Sequence, residues 1–297
     1  MWRKTPKNKA SENLDLTNHQ KMSLALLNSQ VNSEGNASLL QQWQQHICQN
    51  ATPTQHLQAT TTHLRDRLTF SASQIALVNL EKHAQYYQQI LGVEVTALKR
   101  LQDFGETLQP ARLGSWLEIN SLGVNAGWFF PVEMSMEGLL DTIKNTTHKK
   151  ILTRWVNIQN KVTCVGYGES LLSPVIHQME FQFEPSLPFT NQFHMALNLV
   201  DFLEIPPFHG QLLNILKRYE AQELVVSLWL SPQGVLKFGI RVLNPSVKLM
   251  IAFFVLAGLD QAGEDKLAVM HGIFEQIAWV ELQQTADGLC SEVGYRV

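Results

Sequence analysis

Four basic residues, three carboxylates and four large aromatic rings fall at alternating positions of candidate strands in this 297-residue chain: Lys161, Lys237, Arg241 and Arg296; Glu118, Glu281 and Glu292; Trp116, Tyr167, Trp229 and Trp279. Converging in a low-dielectric space, the cations can hold a polyanion and stabilise a leaving group that carries negative charge. Lysine serves as a point charge and arginine as a fork. Aromatic faces can shelter a carbocation and keep water away from it. A carboxylate such as Glu118 can polarise an N–H or O–H, or take up a proton. A plainer reading pairs Lys237 and Arg241 with Glu180, Glu281 or Glu292 across neighbouring strands. In that reading Glu118 is a structural partner of a base, and Trp229 and Trp279 are ordinary packing.

These residues share a face because strand side chains alternate. Leu224, Val226, Leu228 and Leu230 make one greasy face, which leaves Val225, Ser227 and Trp229 on the other. Leu236, Phe238, Ile240 and Val242 leave Lys237, Gly239 and Arg241. Ala278, Val280 and Leu282 leave Trp279, Glu281 and Gln283, and Val293, Tyr295 and Val297 leave Glu292, Gly294 and Arg296. Earlier, Leu117 and Ile119 leave Trp116, Glu118 and Asn120; Val162 and Cys164 leave Lys161, Thr163 and Tyr167; Met179, Phe181 and Phe183 leave Gln178, Glu180 and Gln182.

The elements that carry these strands come in a repeating order. Residues 1–36 are polar and are expected to be a disordered leader. Residues 37–297 are expected to form a single α/β domain. Leu39, Leu40, Trp43 and Ile47, then Leu57, Leu64 and Leu68, have helical spacing, and a longer helix is expected from Ser73 to Leu91. Strand pairs are expected at 114–120 with 124–130, 161–167 with 175–183, 224–230 with 235–243, and 277–283 with 289–297. The turn Ser231-Pro232-Gln233-Gly234 is the clearest of the connections. Between pairs lie helical segments, so helix, helix, strand, strand recurs about four times. Sequential hairpins imply antiparallel pairing, and the inserted helices imply a covered face. Either an open antiparallel sheet with helices on one side or a closed barrel satisfies this order. The tryptophans on the polar face and the liability of long free edges favour the barrel, with a polar lumen.

Composition removes several classes of function. The formal net charge is −3, which argues against a general nucleic-acid binder. Cys48, Cys164 and Cys290 are sparse and widely spaced, as expected of reduced thiols in a cytoplasm, and they offer no zinc site. The greasiest stretch, Val247 to Leu259, is too short to span a membrane and reads as a buried core helix. The basic N-terminus has no apolar run behind it, so a secretory signal is not expected and a cytoplasmic location is. The histidines, His63, His83, His177, His194, His209 and His271 among them, show no metal-ligand spacing and read as surface or satisfied core residues. Phosphate-binding glycine loops, GxSxG and DDxxD are all missing, which speaks against nucleotide enzymes, serine hydrolases and all-helical isoprenoid synthases.

From about residue 75 onward the chain resembles the ABBA aromatic prenyltransferases, whose barrel is built of repeated α-β-β-α units around a solvent-filled centre. The stretches that carry the likeness are Gly114-Ser115-Trp116-Leu117-Glu118-Ile119-Asn120, Asn160-Lys161-Val162-Thr163 and Gly234-Val235-Leu236-Lys237-Phe238-Gly239-Ile240-Arg241, with Val132-Glu133 and Glu137-Gly138-Leu139-Leu140 after the first hairpin. The resemblance implies that Glu118 is a magnesium ligand, as in some members, or the acceptor of an indole proton, as in others. It implies diphosphate binding by Lys161 and Lys237, with Arg241 as a helper. Tyr167 is the inward tyrosine it offers for shielding a carbocation, and tryptophans stand in for the rest. Magnesium is compatible with the sequence and not required by it.

The expectation is a transferase that moves a prenyl group from an allylic diphosphate to an electron-rich aromatic acceptor, an indole being one candidate, in specialised metabolism. Its partners are then small molecules, with no nucleic acid and no membrane span. Two rivals remain: a cyclase or isomerase in a similar barrel working through Glu118, Glu281 and Glu292, and a binding or chaperone-like module without catalysis.

Overall fold

Five times the chain runs helix, helix, strand, strand. The computed structural model describes residues 16–48, 57–62, 67–108, 112–143, 145–158, 162–172, 175–208 and 210–297. The first unit is α1 (Asn18–Leu27), α2 (Glu34–Trp43), a π-helical turn over Gln44–Cys48, β1 (Leu57–Thr62) and β2 (Arg67–Ala76). The second is α3 (Leu80–Leu91), α4 (Val95–Leu108), β3 (Arg112–Asn120) and β4 (Gly123–Met134). The third is α5 (Met136–Thr142), α6 (Thr146–Ile158), β5 (Val162–Ser170) and β6 (His177–Phe183). The fourth is α7 (Phe189–Phe202), α8 (Leu212–Arg218), β7 (Leu224–Ser231) and β8 (Gly234–Leu243). The last is α9 (Val247–Leu256), α10 (Gln261–Phe274), β9 (Ile277–Thr285) and β10 (Gly288–Arg296).

The ten strands close into one antiparallel barrel in which every strand pairs with its chain neighbours and β1 pairs with β10. An open sheet is therefore ruled out: neither the first strand nor the last presents a free edge. Each hairpin turns at one end of the barrel, and each helix pair crosses over at the other. Three of the hairpins turn through only two residues, set by local chemistry. Gly123, Gly234 and Gly288 each take positive φ at a hairpin. Helix starts are capped by Thr17, Ser33, Ser135, Ser246 and Asp260, and α3 ends on Gly92 in the left-handed region.

The greasy faces point outward, toward the helices. Leu68, Phe70, Leu117, Ile119, Phe130, Phe181, Val226, Leu228, Phe238, Ile240, Val280, Leu282 and Val293 are all wholly buried there, packed under residues such as Leu139, Leu152, Trp155, Leu199, Leu216 and Phe253 from the helices. The core is thus the layer between barrel and helix ring, which leaves the inner face free to be polar.

Four expectations fail on this fold. Residues 18–36 were expected as part of a disordered leader; they form α1 and the start of α2. Met22, Ala25 and Leu26 are buried on α1, and a reciprocal Thr17–Gln20 capping box begins it. The expected helix from Ser73 starts only at Leu80, because Arg67–Ala76 is a strand paired antiparallel with β3. Leu57 and Leu68 therefore lie on the strands β1 and β2 and not on a helix, and Leu64 lies outside the described residues. Lastly, α9 is not fully buried, since Val255 is 59% exposed.

Candidate active site in the barrel lumen

Inside the barrel, charged and amide side chains from six strands form one connected network. Arg67 on β2 bonds Glu118 on β3 at 3.3 Å and also Glu292 on β10. Lys237 on β8 reaches the same Glu292 at 3.5 Å. Gln283 on β9 donates to Glu292 at 2.8 Å and to Glu281. Arg241 is held at both sides: its Nε meets Glu281 and its Nη1 meets Glu180, each at 2.6 Å. Ser227 donates to Glu281 at 2.8 Å, Gln178 donates to Glu180 at 3.0 Å, and Asn120 donates to Glu118 at 2.9 Å. The register explains the closeness. Arg241 lies directly opposite Glu281, Glu281 opposite Glu292, and Ser227 opposite both Glu180 and Gly239. Gly239 is required at its place, since a Cβ there would stand 2.3 Å from Glu281 Oε1 and 2.5 Å from Ser227 Oγ.

Aromatic plates share this lumen with the charges. The Lys237 ammonium stands 4.1 Å above the Trp229 ring, and the Arg241 guanidinium 4.3 Å above Trp279. Trp279 in turn lies flat over Gly294, its cross-strand partner, where a Cβ would sit 2.3 Å from the indole Cε2. Trp116 covers Gly127 and Phe129 covers Gly166 in the same manner. Glycines on one strand therefore act as floors for rings on the next, and the rings are held flat against the wall.

Burial and neighbouring charge tune the network. Loss of water, helped by the nearby Arg67 charge, lowers the Lys237 ammonium to about 8, although Glu281 and Glu118 pull the other way. For Arg241, burial alone would lower the pKa; Glu180 and Glu281 outweigh it and raise it, so the guanidinium is permanently charged. Burial likewise opposes ionisation of Glu281, but Arg241 and Lys237 win and hold it below the ordinary carboxylate range. Among the described residues the lumen thus carries Arg67, Lys237 and Arg241 as cations, each matched to at least one glutamate.

Of the candidates from the sequence, Glu118, Trp116, Lys237, Arg241, Trp229, Trp279, Glu281 and Glu292 all face this lumen. Lys161 lies outside the described residues. Tyr167 is a correction: a bulge between Cys164 and Gly166 shifts the register of β5 and turns Tyr167 outward. There it stacks on Phe104 of α4, and its hydroxyl meets His177 Nδ1 at 2.8 Å. Arg296 is a second correction. It is exposed at the crossover end of β10 and bonds Asn244 at 2.8 Å, apart from the lumenal cations. Glu118 does not fit a resident magnesium ion, because Arg67 and Asn120 occupy its oxygens and no three ligating side chains converge among the described residues. His83 also departs from expectation: it is 1% exposed with both ring nitrogens unbonded among the described residues.

Arg67 was missed. It opens β2, a strand that apolar spacing had assigned to helix, and only the register of β2 with β3 brings it beside Glu118. Its basic type at an alternating position before Leu68 and Phe70 was the available signal.

No protein-family model matches the chain. A curated relative, a PH domain-containing protein of Dictyostelium discoideum, is 23% identical over 227 residues, which is 72% of this chain and 49% of that protein. The chain therefore spans about half the length of the curated relative it matches. Solved structures are similar at the level of fold. AnaPT from Neosartorya fischeri superposes with a TM-score of 0.69 at 9% identity, covering 93% of this chain and 91% of that one. The 6-dimethylallyltryptophan synthase of Micromonospora olivasterospora, solved with DMASPP and Trp, gives 0.65 at 11% identity over 94% and 96%. The prenyltransferase PriB, solved with L-tryptophan and a dimethylallyl thiolodiphosphate, gives 0.62 at 10% identity over 93% and 94%. Ten antiparallel strands in sequential order, closed by the first upon the last and ringed by helix pairs, give this chain the barrel fold of the ABBA-type aromatic prenyltransferases.

Proposed function

We propose that the lumen transfers a prenyl group from an allylic diphosphate to an electron-rich planar aromatic acceptor. The observation that carries this reading is the pairing of two of the three lumenal cations with tryptophan faces: Lys237 on Trp229 and Arg241 on Trp279. A diphosphate drawn to Lys237, Arg241 and Arg67 replaces glutamates as their counter-ion. The allylic C–O bond breaks with its electron pair leaving on the diphosphate. The allylic cation is then bounded by ring faces that stabilise it and exclude water. The aromatic carbon of the acceptor forms the new C–C bond, and a lumenal carboxylate, Glu118 in this proposal, takes the proton. The fold is shared with proteins solved in the presence of DMASPP and tryptophan, which supports the same substrate classes here.

The test is a thermal-shift and product assay with dimethylallyl, geranyl and farnesyl diphosphate, each with an indole acceptor, with and without a chelator. Binding at a hundredfold excess over Kd adds about 2.7 kcal/mol, or several degrees in Tm. No shift with any diphosphate at millimolar concentration would sink the proposal.

One observation favours a second reading. Every described lumenal cation is already neutralised by a glutamate, as suits a cyclase or isomerase that works through Glu118, Glu281 and Glu292. Stabilisation by neutral or cationic aromatics, with no response to any diphosphate, selects it.

A further inference from the structure

We propose that the outer face of α9 is the seat of a second copy of this chain, packed antiparallel about a two-fold axis. The helix reads VKLMIAFFVL, with Lys248 as its single polar residue. One side is fully used: Leu249, Met250, Phe253 and Phe254 are buried against β9 and β10. The other side is also apolar. Val247 is 37% exposed and Val255 59%, with Ile251 half-buried between them at four-residue spacing and Leu259 half-buried just beyond the helix. A surface helix ordinarily turns polar residues to water, and one that is apolar all round marks a face that something covers.

Charge at the two ends of the stripe indicates what covers it. Lys248 stands at one end, and Asp260, Glu264 and Asp265, all exposed, stand at the other. In an antiparallel pair centred near Phe253, Val247 meets Leu259 of the second copy and Ile251 meets Val255. Each Lys248 then faces the acidic end of the other helix. The patch is complementary to itself, which is the requirement of a two-fold interface. A membrane would place Asp260, Glu264 and Asp265 against lipid headgroups and gains nothing from them.

Sedimentation velocity or light scattering of the full chain between about 1 and 100 µM, the range in which a modest two-fold contact assembles, tests this. The expected result is a shift from one chain mass to two. Val255→Glu, at an exposed position, is expected to weaken assembly at least about tenfold while leaving unchanged the Tm measured at dilution, where both proteins are single chains. Lys248→Glu weakens it too, and adding Glu264→Lys to the same chain restores it, because the two positions meet across the axis. A wild-type chain that stays at one chain mass at 100 µM overturns the proposal. So does a two-chain mass that survives Val255→Glu, or a charge reversal that Glu264→Lys fails to rescue.

Discussion

Loss of water and the neighbouring Arg67 bring Lys237 down to about 8, so the folded chain releases this proton well below the ordinary lysine value of 10.5. Between those values the unfolded chain holds more protons than the folded one, and stability rises as pH climbs through the window. The gain is on the order of 3 kcal/mol. Urea unfolding at pH 7, 8, 9 and 10 is expected to show this rise in the wild type and a flat profile in Lys237→Met. Diphosphate binding should move the opposite way, weakening above pH 8 as the ammonium is lost. The two slopes separate the role of Lys237 in stability from its role in binding. Lys237, Arg241, Glu118, Trp116, Trp229 and Trp279 were legible because unbroken two-residue alternation carries a side chain to a known face. Tyr167 was lost to one extra residue between Cys164 and Gly166. A bulge leaves no mark in composition, so its effect on facing was not visible.

The first helix–helix–strand–strand unit is where local pattern and structure part. Its helices are short, and β1, with the sequence LQATTT, has none of the greasy alternation that marked the later strands. The π-turn packs against α3, where His46 stacks on Tyr86 at 4.3 Å and meets His83 edge-on at 5.2 Å. Burial first, then the charges of His46 and Lys82, lower His83 to about 4. Tyr86 and Tyr87 face the same space, and no carboxylate contacts His83 among the described residues. A histidine depressed in this way contributes its stability above the unfolded value of 6.5, and that contribution is lost as pH falls toward 4. The loss is about 3 kcal/mol. Circular dichroism of denaturant unfolding at pH 7 and at pH 4.5 checks it: the wild type should lose midpoint on acidification, and His83→Phe should lose less. Equal losses in the two proteins would count against a special role for this histidine. By contrast the last two hairpins were legible to within a residue or two, since Pro232-Gln233-Gly234 and Asp287-Gly288 mark their turns and branched or aromatic residues fill their strands.

At the scale of the molecule, closure was the one property that no local segment could specify. The choice between sheet and barrel rests on β1 meeting β10, and β1 was not recognised as a strand. Closure also makes the last strand indispensable. A chain ending at Asp287 lacks β10 and with it Glu292, the shared partner of Arg67 and Lys237. Its β1 and β9 become bare edges, so aggregation in place of a cooperative unfolding transition is the expected outcome, read by size-exclusion chromatography and calorimetry. A truncated chain that remains monodisperse with a native-like Tm would show that the ring is not required for stability.

The order of strands in this ring also sets a timetable. Nine of the ten pairings join strands next to each other along the chain, so each hairpin and each step between hairpins can form as soon as its own segment is complete. The tenth, which aligns Thr62 with Glu292, must close a loop of nearly the whole barrel, at an entropic cost on the order of 5 kcal/mol. During synthesis that contact waits for β10. The polar lumen and its charge network are therefore assembled last, and a half-made chain is a curled ribbon with both edges free, dependent on speed or on assistance until the ends meet.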